Sequence, residues 1–116
     1  MTRDDELLRS MLFEFERDER GVLNFRKFLS MPQEEIIRNH HVLLLADAGL
    51  VTQISESGYR LTNSGHDYLE AIRSDTIWNR TVEGAAQVGG MTLGMMKDLA
   101  LAYLKQEASE KLGVSF

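Results

Sequence analysis

The stretch Ala46-Asp47-Ala48-Gly49-Leu50-Val51-Thr52-Gln53-Ile54-Ser55-Glu56-Ser57-Gly58-Tyr59-Arg60-Leu61-Thr62 decides the fold. A helical pattern enters it from upstream, through Ile36, Ile37, Leu44 and Leu45. Gly49 suits the left-handed residue that ends a helix, and the strand formers Leu50 and Val51 follow at once. Leu50 to Ser55 and Tyr59 to Leu61 read as two short strands around the turn Glu56-Ser57-Gly58. Thr62 then caps another helix, over roughly 63–73. A helix that hands its chain directly to a hairpin is the core of a winged helix. The hairpin is the wing, and the helix before it is the element that enters a DNA groove.

Reading outward, Ser30-Met31-Pro32-Gln33 looks like the start of that helix. Ser30 is placed to cap the free amides, Gln33 to reach back, and Pro32 fits a first turn that needs no amide donor. Val22 to Phe25 reads as a short strand, with Phe28 and Leu29 as apolar anchors behind it. Residues 3–17 read as a helix whose stripe is Leu8, Met11, Leu12 and Phe15. Downstream, Leu69, Ile72, Ile77 and Trp78 are expected in the core, and residues 81–91 read as loop. Thr92 caps a last helix that runs to about Leu112, with Gly113 behind it. The expected fold is therefore mainly α with a small β-hairpin wing. A winged-helix domain spans 1–80, and a linker plus a C-terminal helix spans 81–116, packed on the same domain or on a dimer partner.

The bulk properties narrow the function. A chain of 116 residues suits one domain. The absence of cysteine excludes disulfide frameworks, thiol catalysis and Cys-ligated zinc. The net charge of −5 excludes a surface attractive to nucleic acid all round. No segment is a basic run, and the acidic excess lies in residues 1–20 and 51–75. The longest aliphatic run, Val42 to Ala46, is too short to span a bilayer. Met1-Thr2-Arg3-Asp4-Asp5-Glu6 is acidic and lacks an apolar signal core, so a cytoplasmic protein without a membrane partner is expected.

Two segments carry a resemblance. His41-Val42-Leu43-Leu44-Leu45-Ala46-Asp47-Ala48-Gly49-Leu50-Val51 is similar to the end of the third helix of bacterial winged-helix regulators, where it leads into the wing. Tyr59-Arg60-Leu61-Thr62-Asn63-Ser64-Gly65 resembles the way those proteins close the wing and start a helix with Gly in its first turn. A narrower resemblance covers most of the chain. The run from Leu61 to Asn79, the N-terminal Arg3-Asp4 with Leu7-Leu8-Arg9, and Gly90-Met91-Thr92-Leu93 resemble the bacterial and prophage domain of unknown function 2513 family. That resemblance implies a winged-helix fold and a mobile-element origin, and it implies no activity. Aligned on His41, the chain departs from the regulators at three places. Arg38 stands where they have an apolar residue, Pro32 where they have a small one, and Phe28 or Ser30 at a small Ala of their second helix. Residues 22–29 read as strand-like rather than as a scaffold helix.

No motif for chemistry survives inspection. His40 and His41 are adjacent, so they project about 100° apart on a helix and chelate poorly. Ser64-Gly65-His66-Asp67 has the letters of a triad in an order that one helix cannot bring together. Gly89-Gly90-Met91-Thr92-Leu93-Gly94 lacks the spacing and lysine of a phosphate loop. No enzyme, metal site or cofactor is expected. The candidate nucleic-acid contacts are Gln33, Arg38 and Asn39 on the exposed start of the helix and Arg60 on the wing, joined by Arg26 and Lys27. Glu34 and Glu35 oppose them, and residues 33–49 carry net −2.

The leading expectation is a small phage-type regulator that acts through DNA or a protein partner. The alternative is an interaction module that kept the fold and lost the basic face. A homodimer is expected through the last helix, with Trp78, Met96, Tyr103 and Leu104 as candidate interface residues, since Met91, Met95 and Met96 exceed what the wing domain needs.

Overall fold

The computed structural model describes residues 1–116. The chain forms two compact units, Met1–His66 and Asp67–Phe116, and the division falls within one helix.

In the first unit, α1 spans Asp5–Arg17. Asp4 caps it, its carboxylate accepting from the Leu7 amide at 3.1 Å, and Leu8, Met11, Leu12 and Phe15 form its buried stripe as the spacing predicts. The turn that follows is held by Asp18, whose Oδ1 accepts from the Arg20 amide at 2.9 Å and the Val22 amide at 3.3 Å. Strand β1 is Val22–Asn24. Helix α2 is Gln33–Asp47, strand β2 is Val51–Gln53 and strand β3 is Gly58–Leu61.

The three strands form one antiparallel sheet in the order β1-β3-β2. Val51 pairs with Leu61 and Gln53 with Tyr59, while on the other edge Leu23 also pairs with Tyr59. Alternation then puts Leu23, Tyr59, Leu61, Val51 and Gln53 on one face and Val22, Arg60 and Thr52 on the other. The first face joins the core: Tyr59, Leu61 and Val51 are buried, as are Val42 and Leu45 of α2.

The hand-over from helix to hairpin matches the sequence reading. Gly49 takes φ +76°, and the Leu50 amide reaches back to the Leu45 carbonyl at 2.9 Å. Thr62 Oγ1 donates to the Gly49 carbonyl and accepts from the Gly65 amide at 3.0 Å, so one side chain ties the end of α2 to the start of the next helix. Gly65 belongs there because a Cβ at its position would collide with the Leu50 carbonyl.

The start of α2 differs from expectation. Ser30 does not cap it. Ser30 sits at φ +62°, and Pro32 occupies the cap position without a side-chain hydrogen bond. Residues 25–32 form no helix and no strand. Phe28 is 57 % exposed and Leu29 is 95 % exposed, so neither is an anchor. Phe25 takes that role, its ring 6.1 Å from Phe15 and 5.8 Å, edge-on, from Tyr59.

In the second unit, α3 (Asn63–Ile72) leads to α4 (Asp75–Gln87) and α5 (Leu93–Leu112). Ser74 and Thr92 cap α4 and α5, and Gly113 ends α5 in the left-handed region. The expected loop over 81–91 is mostly helix, because α4 continues to Gln87. Gly84 is a packing site there rather than a break, lying against Leu99 and Tyr103 of α5. Helix α5 packs on α4. No helix of the chain is long and apolar enough to cross a membrane.

Candidate functional site

The four residues expected to contact nucleic acid are not brought together. Gln33 is exposed in the first turn of α2, beside the exposed Glu34 and Glu35. Arg38 turns from α2 to α1 and donates twice to the Glu14 carboxylate, at 2.9 and 3.2 Å, with its guanidinium 5.8 Å from the Phe25 ring centre. Such a forked pair fixes the side chain and neutralises it. Asn39 is buried and does not share the exposed face that the sequence suggested. Its Nδ2 donates to the Arg26 carbonyl at 3.1 Å. Arg60 is exposed, but on the opposite sheet face from Tyr59 and the core.

The expected interface residues are equally dispersed by burial. Trp78 and Met96 are buried within the chain, while Tyr103 and Leu104 are half-buried. The Tyr103 ring is covered by the Arg80 guanidinium at 4.0 Å.

His41 is structural. His41 Nδ1 lies 2.8 Å from the Ile37 carbonyl, and its Nε2 accepts from the Asp4 amide at 2.9 Å. The tautomer with the proton on Nδ1 satisfies both contacts. A buried ring thus ties α2 to the start of α1. No group of three or more His, Cys, Asp or Glu side chains is placed to hold a metal ion.

What the first unit does present is an open cleft of about 620 Å³. Three walls enclose it. Asn39, Val42 and Leu43 come from α2; Phe25, Arg26 and Lys27 come from the chain leaving β1; Gln53, Glu56, Ser57 and Tyr59 come from the hairpin. Phe25, Arg26 and Lys27 belong to the irregular segment 25–32. Arg26 and Lys27 are exposed and pair with no carboxylate. Asn39 Oδ1 is shut away from solvent and accepts from nothing. An orphaned buried acceptor costs about 1–3 kcal/mol.

Sequence reasoning reached Arg26, Lys27 and Asn39 but grouped them with Arg38 and Arg60. It missed Tyr59, Gln53 and Leu43 as cleft residues. The alternation through the hairpin was the available signal for Tyr59 and Gln53.

Comparison with known proteins gives kinship. An uncharacterized protein of Haemophilus influenzae is 35% identical over 89 residues, covering 68% of this chain and 74% of the relative. No solved structure matches the chain. The family model described as hypothetical protein (DUF2513) matches residues 2–92, and the chain belongs to that family.

Proposed function

We propose that the chain is a non-enzymatic protein-interaction module on a winged-helix core, of mobile-element type, that does not read DNA. The winged-helix reading is supported by the order helix, strand, helix, hairpin and by the pairing of β1 with the far strand of the hairpin. The observation that carries the functional reading is the engagement of Arg38 by Glu14. It removes the one cation of α2 from any approaching phosphate, while Glu34 and Glu35 remain exposed in the first turn. Asn39 points into the protein, and Arg60 lies on the other sheet face, so no continuous basic surface forms around the helix. Phosphate neutralisation supplies most non-specific affinity for DNA, and this surface has little to offer. The scaffold helix that fixes the docking angle in DNA readers has no counterpart in residues 25–32.

The test is an anisotropy titration with random-sequence duplex DNA at low salt, repeated at higher salt. No binding is expected at either. Binding whose affinity falls steeply as salt rises would overturn the reading.

A further inference from the structure

We propose that the run from Arg26 to Ile36 is a self-complementary contact through which two copies of this chain form a two-fold dimer. The inference rests on the interaction reading above and names the partner as a second copy.

Every residue of this run is exposed except Met31, which is half-buried. Phe28, Leu29 and Ile36 are large apolar side chains left open to solvent, and Leu43, two turns beyond Ile36 on the same side of α2, is open as well. Apolar side chains exposed together and rimmed by charge mark a contact surface. The run is also held in shape. At its root the Phe25 ring packs on Phe15 and Tyr59, the Phe25 amide donates to the Ser57 carbonyl at 2.8 Å, and the Arg26 carbonyl accepts from Asn39 Nδ2 at 3.1 Å. Its middle turns at Ser30, whose φ of +62° a serine adopts only at a cost. Its far end is the first turn of α2. A surface fixed before contact loses little freedom on binding.

The order of charges selects the occupant. Arg26 and Lys27 precede the apolar residues Phe28, Leu29 and Met31, and Glu34 and Glu35 follow them. None of the four charges forms an ion pair within the chain. An acidic partner suits one end of the run and is repelled at the other, and a basic partner meets the reverse. A second copy, turned about a two-fold axis near Ser30 and Met31, suits both ends. Arg26 then faces the partner's Glu35 and Lys27 faces the partner's Glu34, and symmetry makes each pair twice. The apolar centre supplies the attraction. The exposed ion pairs, weak one by one, fix the register.

The test is sedimentation equilibrium of the full chain at low salt, up to about millimolar protein. A monomer–dimer equilibrium is expected. Leu29→Asp is expected to weaken the dimer about tenfold or more. Lys27→Glu and Glu34→Lys are each expected to weaken it about tenfold, because each sets like charges together twice. The double variant Lys27→Glu with Glu34→Lys restores the pairs in the opposite sense and is expected to recover most of that loss. All three positions are exposed, so the variants keep the fold, which thermal unfolding checks. Met95→Asp, at an exposed position of α5, is expected to leave the dimer unchanged. A chain that stays monomeric at about millimolar overturns the proposal and leaves the interaction reading standing with a foreign partner. A dimer lost in Met95→Asp and kept in Leu29→Asp overturns the assignment to this face. A double variant no tighter than the single ones overturns the register. Salt-sensitive binding of duplex DNA that leaves the dimer whole overturns the interaction reading instead.

Discussion

At the scale of single residues, the contacts of unit one hang on a few side chains that sequence position alone would not single out. His41 joins two helices by two hydrogen bonds and is buried. His41→Ala removes both and leaves a hole, so a loss of about 2–4 kcal/mol is expected in urea unfolding. A change below half a kilocalorie would show that the Asp4 and Ile37 groups find water instead. Gly65→Ala pushes a methyl onto the Leu50 carbonyl, and a loss of about 1–3 kcal/mol is expected. Asp18 gives a pH prediction. The Arg20 backbone amide, helped by the Val22 amide and the Arg20 side chain, holds its carboxyl below the ordinary value of 3.8. A depressed carboxyl stabilises the fold fully above its ordinary value, and that contribution is lost as pH falls through the lower folded value. Asp18→Asn is therefore expected to flatten the acid end of a stability profile below about pH 4. An unchanged acid limb would count against the turn contacts.

At the scale of elements, what could be read from sequence follows the strength of the local signal. Helix α1 was legible because its four apolar residues form a single stripe. The hairpin and the start of α3 are legible because Gly49 tolerates the left-handed φ that ends α2 and the Thr62 hydroxyl can cap the helix after it. Helix α2 is different. Apolar residues surround it, with Ile36 and Leu43 exposed while Val42 and Leu45 are buried, so periodicity did not say which face looks inward. The sequence pattern therefore places Asn39 on the exposed face, and the structure buries it. The loop expected over 81–91 fails in the other direction, since Gly84, a small residue needed for close helix packing, looks the same in sequence as a breaker. The Arg38–Glu14 pair joins residues of different elements, and nothing in a linear reading announces it. Arg38→Ala is expected to cost about 1 kcal/mol, because both groups are only partly exposed and the pair is forked. Thermal unfolding of Arg38→Ala beside Glu14→Gln would check it, with a double variant no worse than either single one.

At the scale of the whole chain, charge decides more than shape. A net charge of −5 gives no long-range attraction to a polyanion, and the cations of the cleft are two among 13 spread along the sequence. A heparin column at low salt is expected to pass the chain unretained. Retention would mean that the local charge around Arg26 and Lys27 outweighs the total, and the case against DNA would fall with it. The kinship with the DUF2513 family covers residues 2–92, which includes every residue of the cleft.

The central position of β3 has one more consequence. With a neighbour hydrogen-bonded along each side, that strand anchors the sheet, and the tip before it is clasped as well: the Phe25 amide donates to the Ser57 carbonyl at 2.8 Å, Gln53 Nε2 to the Glu56 carbonyl at 3.0 Å and the Gly58 amide to Ser55 Oγ at 2.9 Å. Extra residues spliced in at this tip would break those clasps even where both ladders stayed paired, so the turn has a set length.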